Sequence, residues 1–451
     1  MTRVTTLRST AIAFCFLLFT ASQCFADDAP KAKTATPPPP IVVDLTIKGA
    51  LSEDPAPLGL DGEPITDNLK GLIDKLAKAK ADPAVKGAVV RVRGLSIGWA
   101  KVNELREAIK DFRKSGKKIF AVLEGAGNAE YLVAAAADEI VMPESDWLMI
   151  KGLAAQVTFY KALFDKLGVV ADWMQVGKYK SYGEPFTRTS MSPAFREEMT
   201  ELLNDSYSMI AEAIALRQGI GLEEAKALID GGPYSPKTAK AAGLINRIAY
   251  PDQLETEIAK GLKLAKVKLE TKYGKSTQKV DYSGLAGFMK MMAALSGDGK
   301  TKAESIAPKV ALIYASGAIS TGKSTSGGLL GEASMGSDTV VKHLRKADQD
   351  DTVKAIVLRV DSPGGSALAS DLIWREVIRI KKPIVASMSD VAASGGYYIS
   401  MGCDKIYADP GTITGSIGVT GGTRLFPDHS GRQVCRLMRY SKPATVSRGW
   451  G

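Results

Sequence analysis

The chain has 451 residues, 45% of them hydrophobic and 24% charged, with a formal net charge of +10. That length suits two or three domains, and the composition is that of an ordinary globular protein, which excludes a fibrous or wholly disordered chain. Lys and Arg are interleaved with Asp and Glu instead of clustering on one element; this argues against nucleic-acid binding and leaves a membrane surface as the better partner for the charge.

In chain order, Arg3 and Arg8 precede the apolar run "AIAFCFLLFTA" (residues 11–21), and "SQCFADD" then places small residues before Asp27. This is the layout of a secretory signal peptide over 1–26, or of an uncleaved N-terminal anchor. Residues 27–40, ending in "TATPPPP", read as a stiff extended tether. An exported protein is expected. Of four cysteines, Cys15 and Cys24 fall in the leader. The remaining pair, Cys403 and Cys435, makes neither a disulfide framework nor a zinc site, and reads as two buried thiols.

The body repeats itself. "PIVVDLTIKGAL" from Pro40 and "KVALIYASGAIS" from Lys309 open the two halves. Helical patterns follow, "NLKGLIDKLAKAKAD" from Asn68 and "TVVKHLRKADQDD" from Thr339. Next come apolar runs that read as buried strands, "AVKGAVVRVRG" from Ala84 and "TVKAIVLRVDS" from Thr352. Each half then gives a helix (from Lys101 and Ser370), a strand (from Lys117 and Lys382), a small-residue helix and a short strand ending at Pro143 and Pro410. Strands alternating with helices predict parallel α/β units. The expected domains are 41–280 and 308–451, with a polar linker at 281–307.

The halves differ in their chemistry. With Asp138 and Asp404 aligned, Ser394 of "AASGGYY" falls opposite Asn128, and the glycine turn "DSPGGS" falls opposite "RGLSIGW". Ser394 on a small-residue turn suits an exposed nucleophile. A helix beginning at Gly395 would direct N–H groups toward it, and Gly364 and Gly365 would offer a second set; two converging donors make an oxyanion hole. A tight strand-to-helix turn with no chemistry is the plain alternative.

A serine nucleophile needs a base. The two histidines, His343 on an amphipathic helix and His429 in an irregular tail, are poorly placed. Lysine is the other candidate, provided burial removes its proton near neutral pH. "VGKYKSYGEPFTR" from Val176 carries Lys178 and Lys180. In an extended segment both would point the same way, and the residues alone do not choose between them.

Taken in order, "GKYKSYGEPFTRTSMSP", "VDSPGG", "AASGGYY" and "TGSIGV" resemble the bacterial signal peptide peptidase A family of the long, duplicated type, over about residues 40–422. The resemblance implies two tandem ClpP/crotonase-like α/β domains and a serine–lysine protease. It assigns Ser394 as nucleophile, Lys180 as general base, Gly364 as an oxyanion donor beside the Gly395 N–H named above, and Ser416 as the residue positioning the lysine. It also implies apolar peptide substrates such as signal-peptide remnants, a homotetramer, and the periplasmic side of the inner membrane. No metal-ligand spacing or phosphate loop is present, so no cofactor is expected. One departure stands out. From about residue 423 the chain loses any sustained period, where the first half continues with "VTFYKALFDKLGV" from Val157, read as a helix. The second domain is therefore expected to be truncated, and a catalytically inactive scaffold of the same fold is the alternative. An acyl-CoA enzyme, the other use of a crotonase-like fold, sits badly with a secretory leader.

Overall fold

The computed structural model describes residues 40–55, 68–274, 307–325, 334–427 and 433–436, with isolated positions at 284, 287 and 289. From Pro40 onward the chain forms one compact unit. The leader at 1–26, the tether up to Pro39, most of the linker and the last residues of the tail lie outside the described residues.

The first half contains β1 (Ile41–Gly49), α1 (Leu69–Ala81), β2 (Val85–Leu95), α2 (Trp99–Arg113), β3 (Lys118–Leu123), α3 (Asn128–Ala135) and β4 (Glu139–Met142). It continues with α4 (Lys161–Lys166), β5 (Val170–Val176), α5 (Glu184–Thr187), α6 (Pro193–Gln218), α7 (Leu222–Asp230), α8 (Pro236–Ala241), β6 (Arg247–Ile248), α9 (Leu254–Leu262) and β7 (Lys268–Glu270). The second half contains β8 (Lys309–Ser316), β9 (Ala318–Ser320), β10 (Ser334–Gly336), α10 (Ser337–Gln349), β11 (Val353–Ser362), α11 (Ala367–Val377) and β12 (Ile384–Ala393). It ends with α12 (Gly395–Ser400), β13 (Lys405–Tyr407), β14 (Ile413–Gly415), β15 (Val419–Pro427) and β16 (Gln433–Arg436).

The expected repeat is visible in three dimensions. The first half builds a six-stranded sheet in the order β6-β4-β3-β2-β1-β7, and the second a sheet in the order β13-β12-β11-β8, with β14 also on β12. Every neighbour pair in both sheets is parallel. Local chemistry explains the elements. Asn68 caps α1 by accepting the Gly71 N–H at 2.8 Å, and Leu69, Leu72, Leu76 and Ala79 recur on the buried face. Burying each such leucine contributes about 2 kcal/mol. In α10 the matching face is Val340, Leu344 and Ala347. β2 and β11, whose runs are largely Val, Ile, Leu and Ala, are central strands flanked on both sides, as such runs predict.

Two expectations need correction. The segment from Val157 is helical only over Lys161–Lys166, and that turn buries none of its residues. Without an inward face, the rest of the apolar run does not stay helical. In the second half, the stretch that loses its sequence period is strand β15 through Pro427. Its backbone pairs antiparallel with β5, from Val419 opposite Val176 to Leu425 opposite Val170. A strand from each half thus makes a small separate sheet, β16-β15-β5.

Candidate active site

The Ser394 turn follows from two adjoining elements. β12 runs to Ala393 and α12 starts at Gly395, so one residue must reverse the chain. Ser394 does so at φ 52° and ψ −114°. Among the described residues only three non-glycine residues have positive φ: Lys263, Ser394 and Ser416. Such backbone costs on the order of 1–3 kcal/mol and tends to persist where function requires it. Two of the three are candidate site residues.

Glycines let the second loop close on this turn. A side chain on Gly364 (φ 95°) would lie 2.6 Å from the Gly395 nitrogen and 2.8 Å from Ser394 Cβ. One on Gly395 would lie 3.2 Å from Gly364 Cα. The structure therefore brings Gly364, Ser394 and Gly395 together. Gly395 is the first residue of α12, so its N–H has no acceptor within the helix. The Gly364 N–H is not unengaged as expected; it donates to Ser362 Oγ at 3.2 Å, and that hydroxyl donates to the Gly317 carbonyl at 2.7 Å. The bond is long and neutral. An oxyanion would displace it, because charge-assisted bonds are stronger.

Lys180 arrives from the first half. It sits just beyond β5, whose last residue, Val176, pairs with Val419 at the start of β15. Ser416 lies just before that start, so the antiparallel pairing lays the two turns side by side. Close approach requires glycine at both crossings. A side chain on Gly177 (φ 116°) would stand 2.7 Å from the Ile417 carbonyl oxygen, and one on Gly418 (φ 142°) 2.0 Å from that of Val176. Lys180 Nζ donates to the Ser416 carbonyl at 2.8 Å and to Ser416 Oγ at 3.1 Å. Ser416 is tied in turn to the Ser394 turn. β14 pairs with β12, Gly415 opposite Ala393, and the Ser394 N–H donates to the Gly415 carbonyl at 2.9 Å. Among the described residues Lys180 hydrogen-bonds Ser416 and not Ser394.

The environments of the two lysines differ, and Lys180 is the better suited to lose its proton. Lys180 is only 6% exposed. Burial pushes its ammonium below the usual lysine range, against a smaller opposing pull from Glu198. Lys178 is exposed and donates to Tyr179 Oη at 2.7 Å and Glu197 at 3.1 Å, bonds that hold its proton more firmly. The expectation that both lysines point one way assumed an extended segment. The chain turns here instead, with the Lys180 N–H donating to the Gly177 carbonyl at 3.3 Å.

Opposite Ser394 in the repeat, Asn128 only braces a loop, exchanging hydrogen bonds with the backbone of Lys151 at 2.8 and 3.1 Å. His343 is exposed on α10. The Cys403 thiol is pushed up to about 12 by burial and is no nucleophile at neutral pH. Among the described residues no cluster of metal-ligating side chains occurs.

Sequence reasoning missed a set of buried charges where the halves meet: Glu53, Lys101, Arg359 and Asp390, each less than 10% exposed. The signal was available. Arg359 and Asp390 interrupt apolar strand runs, and buried charges are rare unless paired.

The model of peptidase family S49 matches residues 111–265 and 376–428. The first segment contains Lys180 and the second Ser394 and Ser416. The chain is 35% identical over 383 residues to the chloroplastic serine protease SPPA of Arabidopsis thaliana, covering 84% of this chain and 53% of that one. It is 32% identical over 367 residues to Protease 4 of Salmonella typhi, covering 79% and 55%. For Protease 4 of Haemophilus influenzae the figures are 32% over 383 residues, 83% and 59%. The chain spans a little over half the length of these relatives. It carries two segments of peptidase family S49, with the ClpP/crotonase-like fold of that family in a duplicated arrangement. By sequence it is similar to the SppA-type signal peptide peptidases.

Proposed function

We propose that the chain is a serine endopeptidase in which Ser394 attacks the scissile carbonyl and Lys180 accepts its proton. The observation that carries this reading is the buried Lys180 nitrogen, 2.8 Å from the Ser416 carbonyl, on a turn hydrogen-bonded to the Ser394 turn. In this reading the neutral amine exchanges its Ser416 Oγ contact for Ser394 Oγ when substrate binds, since catalytic hydrogen bonds often form or tighten only in the complex. Ser416 positions the lysine. The N–H groups of Gly364 and Gly395 hold the oxyanion.

The substrates proposed are apolar peptides such as signal-peptide remnants. Met174, Val176, Ile417 and Val419 are all more than half exposed on the strands and turn that carry Lys180 and Ser416, an apolar strip beside the site. A homotetramer acting at the periplasmic face of the inner membrane, reached by the leader at 1–26, completes the proposal; the net charge of +10 favours the anionic surface.

The test is mass-spectrometric mapping after incubation with a fluorophosphonate. The reading requires the label on Ser394 together with hydrolysis of an apolar peptide. A chain that cleaves the peptide while Ser394 stays unmodified would refute it.

A further inference from the structure

The proposed dyad takes one residue from each half, so its geometry depends on how the halves are held. One joint is the β5–β15 pairing beside Lys180. A second lies on the other side of Ser394, where α2 of the first half meets β12 of the second.

Asp390 sits in β12, four residues before Ser394. Its carboxylate accepts the backbone N–H groups of Gly98 at 2.8 Å and Lys101 at 2.9 Å, the first turn of α2. Gly98 is the N-cap residue of α2 and provides no side-chain cap of its own. A Cβ on Gly98 would lie 2.5 Å from Asp390 Cγ. The cap of α2 therefore comes from the other half of the chain, through a gap that only glycine leaves open. Lys101 Nζ donates to Asp361 at 2.7 Å and stands 3.5 Å from Asp390 and 3.9 Å from Glu53. Asp361 opens the "DSPGG" turn, and its other oxygen accepts the Val391 N–H at 3.2 Å.

The surrounding charges close the cluster. Arg359 donates to Glu53 at 2.9 and 3.0 Å, to Glu104 of α2 at 2.5 Å and to Ser387 of β12 at 3.0 Å. Ser389 of β12 also donates to Glu53. Asn103 of α2 donates to Asp409 at 2.8 Å. Cutting one partner from such a cluster leaves the others buried and uncompensated, so its arrangement is held closely.

We propose that Asp390, with Lys101 and Asp361, is a positioning unit that fixes the Ser394 turn and the Gly364 loop against the Lys180 half of the site. The proposal rests on the Ser394–Lys180 reading. A plain stabilising role is available to any buried ion cluster, but this one has a particular placement. Asp390 and Asp361 lie just upstream of the nucleophile and of the oxyanion loop, and both bind the same lysine of the opposite half. Released from α2, β12 would carry Ser394 and, through β14, Ser416 away from their register with Lys180.

The experiment uses the full chain and two variants, Asp390→Asn and Lys101→Met. Each is followed by the rate of fluorophosphonate labelling against pH, by kcat and KM on an apolar peptide, and by Tm. Asp390→Asn keeps the shape and one accepting oxygen, and Lys101→Met leaves both N–H caps on Asp390, so the two disturb the cluster in different ways. In folded variant the labelling rate falls by on the order of 10²-fold, since a displacement of about 1 Å is enough for that. kcat falls with it while KM changes little. The pH midpoint of labelling moves up, because Lys180 loses part of its burial. A folded variant with wild-type labelling rate and midpoint, and only a lower Tm, would overturn the proposal by reducing the cluster to a stabilising role. A wild-type chain that cleaves the peptide without labelling at Ser394 would remove the underlying dyad instead, and is distinguished by that result.

Discussion

The Lys180 side-chain nitrogen lies 2.8 Å from the backbone carbonyl oxygen of Ser416, a residue 236 positions further along the chain. Nothing local in the sequence brings these two together. The pairing of β5 with β15 does, and it does so with glycines at 177 and 418 because the backbones approach too closely for a side chain. The contact gives a lysine a buried place and a hydrogen-bond partner without a carboxylate on it, which is what a basic amine requires.

Replacing the proposed nucleophile should abolish turnover and leave the fold. In Ser394→Ala, kcat on an apolar peptide is expected to fall by on the order of 10⁴-fold or more, with circular dichroism unchanged. Alanine also removes no hydrogen bond made by the serine side chain among the described residues. Appreciable turnover by this variant would exclude Ser394.

Ser416 offers Lys180 two acceptors, one on the backbone and one on the side chain. Ser416→Ala keeps the carbonyl contact and loses the other, so a loss of about tenfold is expected, the worth of one ordinary hydrogen bond. The loss should be confined to kcat. An effect as large as that of Ser394→Ala would mean that Ser416 does more than position the lysine.

Glycine at 418 is required by contact, since a methyl group there would press on the Val176 carbonyl. Gly418→Ala is expected to part β5 from β15, to lower Tm, and to cut kcat by about 10²-fold through displacement of Lys180. Gly364→Ala would act differently. Its methyl group would meet the Gly395 nitrogen and Ser394 Cβ. It should cost on the order of 10²-fold or more in kcat, as removal of one oxyanion donor does. Wild-type kinetics in either variant would show that the corresponding loop takes no part.

Glu198 accepts a hydrogen bond from Ser181 at 3.1 Å and partly offsets the effect of burial on Lys180. Its charge favours the ammonium form. In Glu198→Gln that opposition disappears, so the lysine loses its proton more readily and the pH midpoint of activity shifts down. A pH–rate profile reads this directly. An upward shift would contradict the electrostatic account of the site.

Much of the architecture could be read from the sequence because the central strands β2, β3, β11 and β12 are mostly apolar, and because the same succession of runs occurs twice. Ser394 and Gly364 were legible from their turns, and Ser416 only through the family resemblance of "TGSIGV". The choice between Lys178 and Lys180 was not legible from the residues alone, since it depends on a turn whose direction is set by a strand in the other half. The role of Asp390 was hidden for the same reason. It caps a helix 289 residues away in sequence, and the uncapped Gly98 gives no hint of where its partner lies. β15 was missed because its partner, β5, belongs to a different repeat, so the period of its own half is no guide there.

The most direct test of the account is the pH dependence of Ser394 labelling by a fluorophosphonate in the wild type, Lys180→Arg and Lys178→Ala. The base acts only as the neutral amine, so the rate should rise with pH through a midpoint lying below the ordinary lysine value of about 10.4, and be weak in acid. Lys178→Ala should follow the wild-type curve, because Lys178 is exposed and its proton is held by Tyr179 and Glu197. Lys180→Arg should remain unlabelled at every usable pH, since a guanidinium does not give up its proton. Substantial labelling of Lys180→Arg, or a wild-type midpoint characteristic of an unperturbed lysine, would contradict the claim that buried Lys180 is the base.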